Sequence, residues 1–129
     1  MKFSFKDPSA KKKKILVVED EPMSVRVIQQ ILKTYQFELI IAHNGLDAIE
    51  KFKHQDISLV IMDLYMPEMD GFEASKRIKQ ISKDTPIIVI STTTIAEEEL
   101  QKDIGIDYLL TKPLNVPKFK DFIHMLLLA

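Results

Sequence analysis

The stretch Val60-Ile61-Met62-Asp63-Leu64-Tyr65-Met66-Pro67-Glu68-Met69-Asp70-Gly71-Phe72 decides how the chain is read. Its apolar start has the continuous character of a strand buried on both faces. The run ends in a carboxylate, Asp63. A loop with Pro67 follows, and Asp70 with Glu73 has the spacing of a capping box that opens a helix. A buried strand, an acid at its tip and a capped helix make one unit of an alternating α/β fold.

The same unit recurs on both sides. We number the expected elements β1 (15–18), α1 (22–35), β2 (38–42), α2 (44–54), β3 (58–62), α3 (70–81), β4 (87–91), α4 (94–103), β5 (107–111) and α5 (115–128). Pro22 suits a first helical turn, and Asn44 and Asn115 are N-caps. Thr94 with Glu97 is a second capping box. Alternation of this kind predicts a parallel sheet covered on both faces with right-handed crossovers. The expected class is a flavodoxin-like doubly wound (βα)5 fold with strand order 2-1-3-4-5, an order the reference case for such sheets shares.

Four apolar runs end in a polar residue: Glu19-Asp20 after β1, Asp63 after β3, Ser91 at the end of β4 and Lys112-Pro113 after β5. Open α/β sheets bind ligands outside the carboxyl ends of their strands, where the strand order reverses. Three carboxylates, a hydroxyl and an ammonium then share one small site. Clustered carboxylates repel, a cation resolves the repulsion, and an oxygen-rich set suits Mg2+. A carboxylate is also a competent nucleophile toward phosphorus. The plainer reading of Glu19-Asp20 is that they cap α1, where negative charge is favoured; Asp63 on the adjacent strand argues against it.

These motifs resemble those of the response-regulator receiver domain of two-component signalling. The stretch 60–72 is close to that family's phosphorylation loop, Val17-Val18-Glu19-Asp20-Glu21-Pro22 to its acidic pair, and Pro86–Ser91 and Lys112-Pro113 to its last two motifs. The resemblance runs from about 14 to 127, with residues 1–13 as a basic N-terminal arm and 14–129 as the receiver domain. It implies that Asp63 accepts a phosphoryl group from a phosphohistidine on a histidine kinase or histidine phosphotransfer protein. Glu19, Asp20, Asp63 and the Tyr65 carbonyl would hold Mg2+, and Ser91 and Lys112 would contact the phosphoryl group. Such a chain phosphorylates and dephosphorylates only itself, so it is not expected to be a conventional enzyme. Phosphorylation would draw Ser91 inward and bias the α4-β5-α5 surface toward a downstream target or a homodimer. The resemblance also implies a cis Lys112–Pro113 bond.

The chain departs from the family at four points, one of them a segment from Ser91 to Gly105 that is a residue short, which implies a truncated or shifted α4. Thr92 follows the switch hydroxyl where a smaller residue is usual. Tyr65 stands at the mouth of the site. Leu109 occupies the usual place of a switch aromatic, and Tyr108 is displaced by one residue, which in a strand means the opposite face. On α5, Phe119, Ile123, Leu126 and Leu127 form a stripe toward the sheet, while Phe122 and Met125 widen the apolar arc into a contact surface.

Bulk properties bound the alternatives. The 129 residues suit one domain, and 46% hydrophobic with 29% charged residues suits a packed core. No Cys is present, which fits a reducing cytoplasm, and no apolar run is long enough to span a membrane. Residues 1–14 carry six lysines and one aspartate within a chain of net charge −1. No basic stripe with interleaved aromatics points to direct nucleic-acid binding. His43, His54 and His124 lack metal-ligand spacing. The alternatives are a pseudo-receiver acting only as an interaction module, a receiver excised from a hybrid kinase, and a dehalogenase-like phosphatase. The last would want a second aspartate where Tyr65 stands.

Overall fold

The computed structural model describes residues 12–64, 71–91 and 105–128. Five parallel strands stand in the order β2-β1-β3-β4-β5: Lys14–Val18, Glu38–Ala42, Ile57–Asp63, Ile87–Ser91 and Tyr108–Thr111. The helices among the described residues are α1 (Pro22–Leu32), α2 (Gly45–His54), α3 (Gly71–Ile81) and α5 (Val116–Ile123). The expected α4, with its Thr94–Glu97 box, and the Asp70 cap lie outside the described residues.

Strand pleating sorts the core into two layers, because successive side chains point to opposite faces. Leu16, Val18, Val60, Met62, Ile87 and Val89 pack with Ala48, Phe52, Ala74 and Ile78 of α2 and α3. Ile15, Val17, Leu59, Ile61, Ile88 and Ile90 pack with Ile28 and Leu32 of α1 and Phe119 and Ile123 of α5. The three central strands are buried on both faces, which is why their sequences run apolar without alternation. Each fully buried Leu, Ile or Phe side chain stabilises the fold by about 1.5–3 kcal/mol.

Asn44 caps α2 by accepting from the Asp47 N–H at 2.8 Å, and Asn115 caps α5 by accepting from the Lys118 N–H at 3.0 Å. Two helices end earlier than their periodicity predicts. α1 stops at Leu32 rather than near Tyr35, where the chain tightens: the N–H groups of Lys33 and Tyr35 reach back three residues, to Gln30 and Leu32. α5 keeps α-helical geometry to Ile123, and His124–Leu128 widens into a π-helical turn. Leu127 stays buried there, while Leu126 is half-buried against the same layer.

β3 runs one residue longer at each end than expected, so Asp63 is its last residue. The register aligns Val18 of β1 with Met62 of β3, and Asp63 with Ile90 of β4. The residues that follow these partners are thereby brought to one end of the sheet.

Candidate functional site

Glu19 and Asp20 follow β1 where it lies between β2 and β3, at the point where the strand order reverses. Glu19 continues the ladder, donating its N–H to the Ala42 carbonyl at 2.9 Å. One carboxylate oxygen from each of Glu19, Asp20 and Asp63 lies within 4.8 Å of the others. Glu19 and Asp63 are buried and Asp20 is exposed. Hard oxygen donors at such spacing, with one solvent-facing ligand, fit a small divalent cation that keeps part of its water shell.

Lys112 faces the acids from the end of β5. Its Nζ lies 3.4 Å from Glu19 Oε1 and 3.8 Å from Asp63 Oδ2. Its backbone N–H donates to the Ser91 carbonyl at 2.8 Å, which ties the β4 and β5 ends together. Lys112–Pro113 is a cis peptide bond. Ser91 is fully buried at the tip of β4, opposite Thr111. The structure thus brings Glu19, Asp20, Asp63 and Lys112 to one place, with Ser91 at the neighbouring strand end. Tyr65 and Thr92 lie outside the described residues.

The clustered carboxylates repel one another. Burial, the nearby Asp63 charge and a hydrogen bond with Asp63 push the Glu19 carboxyl up to about 7. The Glu21 N–H and Lys112 pull in the other direction and are outweighed. Near neutral pH a proton therefore sits on Glu19 part of the time and offsets the repulsion.

Gly71 had no individual role in the sequence reading, yet it shapes the site. Its N–H donates to the Leu64 carbonyl at 2.8 Å, pressing the start of α3 against the end of β3. A Cβ there would stand 2.3 Å from the Asp63 carbonyl oxygen and 2.6 Å from the Leu64 Cα. The available signal was a glycine directly after the acidic residue of the loop.

Tyr108 and Leu109 fall on opposite faces of β5. Leu109 packs with the α2–α3 layer. Tyr108 packs with the α1–α5 layer, its ring 4.5 Å from that of Phe122. Phe122 is therefore partly covered from within the chain, whereas Met125 remains 48% exposed. A cavity of about 190 Å3 opens beside the acids, lined by Glu19 and Lys112 at one end and by Val27, Ile28, Ile90 and Leu114.

A parallel sheet in the order 2-1-3-4-5, with helices packed on its two faces, is the flavodoxin-like class of fold. Within that class the chain belongs to the response regulator receiver domain family, whose model matches residues 15–124. It is similar to chemotaxis protein CheY of Halobacterium salinarum, 36% identical over 121 residues that cover 91% of this chain and 98% of that protein. It is also similar to hybrid signal transduction histidine kinase B of Dictyostelium discoideum, 35% identical over 121 residues, 83% of this chain but 6% of the kinase. It spans 24% of transcriptional regulatory protein ZraR of Klebsiella oxytoca and 11% of sensor histidine kinase RcsC of Escherichia coli, so it covers a minor part of such longer relatives. Among solved structures, chemotaxis protein CheY4 of Vibrio cholerae superposes with a TM-score of 0.82 at 28% identity, covering 91% of this chain and all of that one. No helix among the described residues is long and apolar enough to cross a membrane.

Proposed function

We propose that the chain is a phosphoacceptor response regulator that takes a phosphoryl group onto Asp63 from a partner's phosphohistidine. The observation that carries this reading is the meeting of three carboxylates with Lys112 at the sheet's switch point. A carboxylate oxygen of Asp63 attacks phosphorus. The P–O bond forms as the P–N bond breaks, and the departing imidazole nitrogen keeps the electron pair and takes up a proton. Lys112 stands within reach of the incoming phosphoryl oxygens and supplies positive charge there. Ser91 offers a hydroxyl to one of the same oxygens from the β4 end.

Glu19, Asp20 and Asp63 are the residues that would hold Mg2+, with the Tyr65 carbonyl as a further oxygen. When bound, Mg2+ neutralises charge on the transferring group. The cavity walled by Val27, Ile28 and Leu114 gives the donor an approach beside Lys112. The product carries about −1.5 to −2 charge at Asp63. Movement of Ser91 toward it would alter the β4 end and the surface around β5 and α5, the face for a downstream protein or a second copy. Tyr65 and Thr92 would narrow access to the phosphoaspartate.

Incubation with phosphoramidate and Mg2+ should add one phosphoryl group to the intact mass of wild type. Asp63→Asn should add none, and chelation of Mg2+ should abolish the gain. Equal labelling of wild type and Asp63→Asn would overturn the assignment.

A further inference from the structure

We propose that His43 is a positioning residue that fixes the peptide bond between the two acids Glu19 and Asp20. The His43 Nδ1 lies 3.3 Å from the Glu19 carbonyl oxygen. A carbonyl only accepts, so Nδ1 carries the proton in this bond. The Glu19 N–H is held as well, donating to the Ala42 carbonyl at 2.9 Å. Two consecutive residues of β2 and its exit thus grip Glu19 by its N–H and its C=O. The gripped carbonyl belongs to the Glu19–Asp20 peptide, whose rotation would swing the two carboxylates relative to each other.

The anchor is itself firm. Asn44, next to His43, caps α2 through the Asp47 N–H, and its carbonyl accepts from the Ala48 N–H at 3.0 Å. His43 therefore projects from a point fixed by a strand on one side and a capped helix on the other. Asp20 is exposed, so its placement depends on the backbone rather than on burial. The Glu21 N–H bond to Glu19 Oε2, at 3.3 Å, orders the turn further but acts on the Glu19 side chain, not on the Asp20 peptide. A bond to His43 is the constraint suited to setting Asp20 against Asp63.

The inference rests on the Mg2+ site proposed above, and the test separates the two. Asn places an amide nitrogen near the position of Nδ1, whereas Ala removes the donor. Mg2+ affinity would be measured by calorimetry on wild type, His43→Ala and His43→Asn. His43 is exposed, so water competes for the bond and the effect is modest. His43→Ala should weaken Mg2+ binding roughly two- to fivefold, with an unchanged thermal midpoint. Its phosphorylation rate from phosphoramidate should drop at subsaturating Mg2+ and match wild type at saturation. His43→Asn should recover wild-type affinity. Equal Mg2+ affinity in wild type and His43→Ala, or no recovery in His43→Asn, overturns the proposal. If wild type itself binds no Mg2+, the functional reading fails instead. The clamp is then judged by the Asp20 backbone amide, whose hydrogen exchange should quicken in His43→Ala and recover in His43→Asn; unchanged exchange overturns it.

Discussion

A Cβ atom on Gly71 would stand 2.3 Å from the carbonyl oxygen of Asp63, well inside any real contact. The first residue of α3 is thus pressed onto the backbone of Asp63 and Leu64. Neither neighbour can yield cheaply, because both contacts are backbone atoms. Gly71→Ala should destabilise the fold by about 1–3 kcal/mol, the usual cost of forced overpacking. It should also slow phosphorylation by displacing Asp63. Urea unfolding and intact-mass kinetics on the same sample check both effects. A variant as stable and as fast as wild type would show that the chain end of β3 has more room than the geometry allows.

The Glu19 carboxyl titrates at about 7 in the folded chain against an ordinary value of 4.5. A raised folded pKa means that the native state holds the proton longer than the unfolded state. Its contribution is complete below about 4.5 and is lost as pH rises through about 7. In the presence of a chelator, stability should therefore fall across that window by on the order of 2–3 kcal/mol. Glu19→Gln, which cannot ionise, should flatten this fall. On the proposed function Mg2+ would displace the same proton, so its apparent affinity should rise up to about tenfold per pH unit below 7 and level off above. Urea midpoints and Mg2+ titrations from pH 5 to 8 test both signs.

Lys79 Nζ donates to Asp107 Oδ2 at 2.9 Å, to the Thr85 carbonyl at 2.8 Å and to the Lys83 carbonyl at 3.2 Å. The same Asp107 oxygen accepts from the Ile87 N–H at 2.8 Å. One amino group thereby joins the end of α3 to the entries of β4 and β5. Its side chain is 11% exposed, so it is unlike a surface ion pair worth at most about 1 kcal/mol. Lys79→Met should cost about 1–3 kcal/mol by stranding its acceptors. Asp107→Asn, which keeps an acceptor for Ile87, should cost less. The order of the two urea midpoints is the measurement, and a reversed order would count against the hub.

The Ser75 hydroxyl is fully buried in α3 and has no hydrogen-bond partner among the described residues. Burying an unsatisfied hydroxyl costs about 1–3 kcal/mol. Ser75→Ala removes the group, creates little space and raises helix propensity. It should raise stability by about 1 kcal/mol while leaving phosphorylation unchanged. A loss of stability on thermal or urea unfolding would mean that the hydroxyl has a partner in solution.

The sequence alone disclosed the strands, because two-sided burial demands continuous apolar runs and polar residues end them. It placed the caps Asn44 and Asn115, whose action is local, spanning three residues. Strand ends supplied the site: Glu19, Asp20, Asp63, Ser91 and Lys112 each follow or close an apolar run, so parallel pairing brings them to one edge. The placement of Tyr108 and Leu109 on opposite faces also follows from strand periodicity.

Tertiary structure decided what no local period encodes. The early end of α1 is set by a tightened turn, and the π-helical end of α5 keeps Leu127 against the sheet. Phe122, read from its helical position as part of an open apolar arc, is half covered because Tyr108 of the edge strand stacks on it. Lys79 and Asp107 stand 28 residues apart in sequence and meet only when α3 packs beside the entry of β5. Gly71 and His43 matter through contacts with Asp63 and Glu19 from other elements. Composition and spacing specify which face a side chain occupies. Close approach, pairing and the pKa of Glu19 depend on distances set when separate elements pack.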